Sequence, residues 1–174
     1  MNARKMALCG LLCALAEVCL LLGGLIPVAL YCSPILAMAA LLPVREECGV
    51  RMALTAYAAV AVLSLLLAAD KELAGVYLFL GWYPAAQPAL DALRPRAVGT
   101  AAKLLACNLS AGALYALLIW VFRLEAVAAE FRTLSGAFLL LLLLMANLVF
   151  LLTDRLLHRL TLLWRRRLRS RWFR

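Results

Sequence analysis

One carboxylate, Glu17, stands inside an otherwise apolar run from Met6 to Leu22. At about 1.5 Å per helical residue it lies about 18 Å from Lys5, near the middle of a bilayer, where an ionisable group is expensive and marks a candidate functional site. A protonated or locally paired structural carboxylate is the plain alternative. Other polar groups fall at graded depths along the remaining apolar stretches. Asn108 and Asn147 sit near mid-depth or slightly inward, and Tyr31, Tyr77 and Tyr115 sit in the outer half. Rings supply contact area and a few amides fix orientation, as a small-molecule pocket requires. The same residues also serve as interhelical hydrogen bonds and interfacial belts. Asp70, Lys71 and Glu72 form a short turn carrying both signs of charge, either a solvated loop or a lid for a zwitterion.

Enzyme chemistry has little to stand on. There is no Ser-His-Asp set, no H-E-x-x-H, no P-loop and no Gly-rich nucleotide fingerprint. The single histidine, His158, falls in the C-terminal segment, away from every candidate acid. Six cysteines contain no C-x-x-C pair, so they read as small buried hydrophobes, and neither a metal nor a cofactor is expected.

The elements that must carry these groups are membrane helices. The chain of 174 residues is 67% hydrophobic with a mean hydropathy of +0.98, too apolar for a soluble domain. The expected fold is all-α, a polytopic six-transmembrane-helix bundle. Its spans are about 6–24, 27–43 (ended by Pro43), 52–69, 73–90, 100–122 and 133–153. A charged connection occupies 44–51, and Pro84 and Pro88 make the fourth span kinked or partly re-entrant. Four spans with a re-entrant segment is the fallback.

Charge sets the orientation. With the N-terminus inside, Arg4, Lys5, Arg45, Arg51, Arg94, Arg96 and Lys103 all fall on the cytoplasmic side. Lys71, Arg123 and Arg132 fall outside, each beside an acid. The chain therefore divides into a transmembrane domain, 1–153, and a basic amphipathic cytoplasmic tail, 154–174. Both termini are expected on the cytoplasmic side of the cell membrane.

The net charge of +9 is mostly the tail's, since eight arginines and no acid follow Asp154 and residues 1–154 carry only +1. Arg159, Arg165, Arg166 and Arg167 beside Leu156, Leu160, Leu163 and Trp164 describe a helix lying on anionic lipid headgroups, not a nucleic-acid arm.

Gly10 and Ala14 form a smooth strip on the first helix, where a second helix could approach closely. Arg4-Lys5 entering a small-residue first helix, six short spans and compact outer loops resemble the substrate-binding S components of energy-coupling factor transporters. The resemblance covers about residues 4–153 in architecture, with Gly10-Leu-Leu-Cys-Ala14 standing where that family has an Ala-x-x-x-Ala-like strip.

The resemblance implies a non-enzymatic subunit that captures a small molecule such as a vitamin from outside. It implies docking by the first helix onto a transmembrane T component driven by two cytoplasmic ATPases. By position it implicates Tyr31, Asp70, Lys71, Glu72, Tyr77, Asn108 and Tyr115, with Glu17 added from its depth. No His-rich metal motif is present, so cobalt and nickel are disfavoured. A structural scaffold of an envelope or cell-shape complex is the competing expectation, with the polar residues as interhelical glue. A proton-coupled carrier using Glu17 is the third.

Overall fold

The computed structural model describes residues 3–25, 29, 32–68, 70–120 and 135–168, and is all-helical over them. The helices are α1 (Ala3–Leu25), α2 (Cys32–Cys48), α3 (Val50–Leu67), α4 (Lys71–Leu80), α5 (Tyr83–Asp91), α6 (Arg96–Trp120) and α7 (Gly136–Leu163). A π-helical turn, Trp164–Leu168, extends α7.

Four helical stretches are long and apolar enough to cross a membrane: Ala3–Leu25, Val50–Leu67, Arg96–Leu117 and Gly136–Arg166. This is a membrane-associated chain. The six-span expectation is met only in part. Residues 73–90 are not one helix, because the chain breaks at Gly81 and Trp82 into α4 and α5, with Pro84 at the start of α5. Proline suits a first helical turn, where its missing N–H would be unpaired anyway. Ten and nine residues rise only about 15 and 14 Å, so neither piece spans alone.

Pro43 does not end the second helix. α2 continues through it to Cys48, so most of the expected charged connection is helical. The break falls instead at Gly49, whose φ of 88° is a left-handed conformation that glycine adopts without strain. α2 is the central helix, with ten of its 17 residues buried, and it packs against α1, α3, α5 and α7. Its buried Leu41, Leu42 and Val44 join Leu20 of α1, Val60 of α3 and Leu73 of α4 in one apolar core.

The α1–α2 seam is close. A Cβ added at Gly23 would lie 2.0 Å from Ser33 Oγ and 2.3 Å from Ser33 Cβ. Gly23→Ala is therefore expected to destabilise the bundle by about 1–3 kcal/mol through overpacking. Thermal unfolding in detergent checks it, and an unchanged midpoint would contradict the seam.

α7 runs without interruption across Asp154, so no helix break separates 133–153 from the residues that follow. Leu140 to Met145 on its first half are exposed, whereas Phe150, Leu157 and Trp164 on its second half are buried. The apolar exposed half is suited to lipid.

Candidate functional site

Polar side chains inside an apolar bundle must find partners or carry a penalty, so the partner of each polar group separates architecture from candidate chemistry. Asp70 is the N-cap of α4: its Oδ1 accepts from the backbone N–H groups of Glu72 at 2.9 Å and Leu73 at 3.4 Å. Lys71 turns the other way, donating to the carbonyls of Leu65 at 2.8 Å and Ala68 at 3.0 Å at the end of α3. Asn108 and Asn147 exchange two amide bonds, of 3.1 and 3.2 Å, between α6 and α7. Tyr115 is half-buried on α6. Tyr31 lies outside the described residues.

Glu17 and Tyr77 are different. Tyr77 is completely buried and its hydroxyl has no hydrogen-bond partner. Both carboxylate oxygens of Glu17 are also buried and unpartnered. Glu17, Cys13 and Tyr57 stand within electrostatic reach of the Tyr77 hydroxyl, and the Tyr57 ring centroid is 5.9 Å from that of Tyr77. The Tyr57 hydroxyl donates to the Leu78 carbonyl. α1, α3 and α4 thus bring together a carboxylate, a free phenol and a second ring. Gly10 and Ala14 are exposed on α1, with open space around a Cβ built at Gly10.

The densest polar network lies at the opposite end. Lys103, buried on α6, bridges Asp91 at 2.5 Å and Asp154 at 2.9 Å. Asp154 also accepts from Tyr83 at 2.5 Å and from Gln87 at 2.6 Å. Tyr83 in turn meets Phe150 edge to face, with centroids 4.8 Å apart.

Beside this hub, Arg45 donates to the Pro84 carbonyl at 2.5 Å, to Glu46 at 2.8 Å and to Thr161 at 3.2 Å. Arg165 donates to Glu46 at 2.5 Å, and Trp164 to Glu47 at 3.4 Å. Lys5 reaches the Glu47 carbonyl at 2.7 Å. The start of α1, the ends of α2 and α5, the start of α6 and the end of α7 are therefore fastened together. Of the four arginines expected on lipid, Arg165 is partly engaged by Glu46, Arg159 and Arg166 are exposed, and the Arg167 side chain lies outside the described ones.

Two cavities are described, of about 370 and 260 Å³, and both open at this basic end. Among the described residues, none of those singled out for substrate binding lines either one. His158, expected far from any acid, lines the larger cavity together with Asp91. In sequence Lys103 counts only towards the cytoplasmic charge and Asp154 only marks the start of the tail, so neither announces the hub. Opposite charges within two neighbouring apolar helices are themselves a pairing signal, since neither is tolerated alone at that depth.

Glu46 makes the basic end sensitive to acid. Burial works to raise its carboxyl, but hydrogen bonds from Arg165 and Arg45 outweigh it and hold the group below the usual carboxylate range. A lowered folded value contributes stability above the unfolded value of about 4.3, lost as pH falls through the folded one. The wild-type thermal midpoint should therefore drop as pH falls below that unfolded value, and Glu46→Gln should flatten that drop. Arg165 is largely exposed, but Arg45 is buried and loses the same carboxylate, so the cost of the variant at neutral pH is expected to be about 1–3 kcal/mol. Parallel pH profiles for the two proteins would contradict the assignment.

Among the described residues no group of His, Cys, Asp and Glu could hold a metal ion. Comparison with protein-family models, with curated proteins and with solved structures gives no match.

Proposed function

We propose that this chain is a non-enzymatic membrane subunit that captures a small molecule for an ATP-driven, energy-coupling-factor-like importer. The observation that carries this reading is the pair of orphaned groups, Glu17 and Tyr77. A phenol left without a hydrogen bond costs about 1–3 kcal/mol, and an isolated carboxylate costs more. A ligand bearing hydrogen-bond donors between α1 and α4 satisfies both. α1 meets α4 only sparsely compared with its contact on α2 and α3, so this is the seam that opens to admit it. Asp70, Lys71 and Asn108 then serve the frame around the site.

The exposed strip at Gly10 and Ala14 supports the second half of the proposal, docking of α1 onto a transmembrane coupling subunit whose ATPases supply the energy. In this reading α4 and α5 cross the membrane in tandem, so that six passes leave both termini in the cytoplasm. The gathering of Lys5, Arg45, Lys103 and Arg165 at one end of the bundle favours that orientation.

A second reading, a structural scaffold, is favoured by the reciprocal Asn108–Asn147 pair and the capping roles of Asp70 and Lys71. Native mass spectrometry of gently extracted protein separates the two. Capture requires a co-purified small molecule whose occupancy falls at least tenfold in Glu17→Gln and in Tyr77→Phe. A ligand-free chain associated only with copies of itself would overturn it in favour of the scaffold.

A further inference from the structure

The larger cavity at the basic end is independent of Glu17 and Tyr77. It measures about 370 Å³, within the range of small-ligand sites, and lies where α2, α5 and α7 converge. Arg45, Gln87, Asp91, His158, Thr161 and Arg165 face it.

The charges around it fall into two self-contained sets. Glu46 is shared between Arg45 and Arg165, leaving one positive charge over, and Lys103 is shared between Asp91 and Asp154, leaving one negative charge over. The two sets cancel. Arg155, Arg159 and Arg166 are exposed on the same stretch of α7 and form no ion pair among the described residues, so the surrounding field is positive.

Donors remain as well. Arg165 engages Glu46 through Nε, and its terminal nitrogens make no hydrogen bond among the described residues. His158 has no hydrogen-bond partner among the described residues. Arg45 is spent on Glu46, Thr161 and the Pro84 carbonyl, which holds the wall of the cavity rigid. A planar guanidinium with its terminal nitrogens unused, lining the same cavity as an imidazole without a hydrogen bond among the described residues and in a positive field, suits a tetrahedral oxyanion.

We propose that this cavity binds a phosphate group, ester-linked or free, held by the terminal nitrogens of Arg165 and by His158. At the basic end of a membrane bundle two sources present that chemistry, the headgroup of an anionic lipid and a soluble phosphate. Binding offsets the excess positive charge of α7 and its π-helical extension. Arg159 and Arg166 do not line the cavity and contribute only to the general field.

The test uses the full chain in nanodiscs of phosphatidylcholine containing a minor fraction of phosphatidylglycerol, read by native mass spectrometry after release into detergent. Wild type is expected to retain a phosphatidylglycerol molecule that His158→Gln and Arg165→Lys each lose about tenfold, the loss of one charge-assisted bond. Arg159→Gln/Arg166→Gln should keep it. Arg165→Lys keeps a positive charge beside Glu46, and His158→Gln replaces an exposed side chain that makes no hydrogen bond or ion pair among the described residues, so neither loss reflects unfolding. In a second arm, glycerol 3-phosphate and inorganic phosphate are titrated against protein in phosphatidylcholine alone. Saturable binding there that displaces the lipid assigns the site to a soluble phosphate, and lipid retention that resists displacement assigns it to the headgroup. Equal loss in all the variants, or saturable binding in neither arm, would overturn the proposal.

Discussion

Asp154→Ala is expected to cost about 3–5 kcal/mol, the largest loss of any single polar substitution in the bundle. Its carboxylate takes hydrogen bonds from Tyr83, Gln87 and Lys103, drawn from α5 and α6 onto α7. Alanine strands the Tyr83 hydroxyl, leaves Gln87 only its 3.1 Å bond to the backbone carbonyl of residue 154, and takes from Lys103 the less exposed of its two carboxylates. Tyr83 and Gln87 are 2% exposed and Lys103 is 7% exposed, so water cannot substitute freely. Lys103 keeps Asp91, but that carboxylate is 40% exposed and is the weaker anchor. Asp154→Asn retains one acceptor oxygen and the volume, and should recover part of the loss.

The penalty arises from the stranded partners more than from the bond itself. Lys103→Met combined with Asp154→Leu should therefore be far more stable than the two single losses added together. Reversible unfolding in mixed detergent micelles measures each variant. A loss below about 1 kcal/mol for Asp154→Ala, or simple additivity in the double variant, would show that the network is not a stability hub.

The helices themselves were largely readable from hydropathy, since a bilayer demands long apolar stretches and punishes exposed backbone. What defeated that reading was local. Pro43 looked like a terminator, yet a helix buried at the centre of the bundle tolerates the loss of one backbone bond, and Gly49 makes the turn instead. Residues 73–90 carried enough apolar character for one span, but Gly81-Trp82-Tyr83-Pro84 divides them. The C-terminal segment from Asp154 was legible as a helical continuation, and the helix does run through that residue, which is paired inside the bundle.

Among the site residues, depth alone singled out Glu17. It could not tell which polar groups are satisfied, and that distinction decides their roles. Asp70 and Lys71 turn out to cap helices, and Asn108 meets Asn147, all through partners separated by a turn or by 39 residues. Tyr77 stands out only once its ring is seen to be enclosed with a bare hydroxyl. The basic end was hidden for the opposite reason. Its charges are adjacent to spans in sequence and so resemble ordinary flanking residues, while their pairing spans five helices.

Glu17→Leu is expected to move stability in the other direction, raising it by about 2 kcal/mol in the ligand-free protein. Both carboxylate oxygens are buried and neither has a partner, so the native state carries the desolvation cost without a compensating bond. Leucine is close in volume and suits the apolar faces of α1 and α4 around it. Tyr77→Phe follows the same logic on a smaller scale, about 1 kcal/mol, since it deletes one unpaired hydroxyl and leaves the ring against Tyr57. A group kept for architecture behaves oppositely, because removing a satisfied acceptor strands its donors, as at Asp154. The sign of the change therefore reports function directly: a site that binds a ligand retains groups that the empty fold would be better without. The measurement is the thermal midpoint of ligand-free protein in detergent, paired with ligand occupancy in the same preparation. A rise in midpoint together with lost occupancy is the signature of a capture site. A fall in midpoint for Glu17→Leu would mean that the carboxylate holds the bundle together, and the capture reading would lose the observation that carries it.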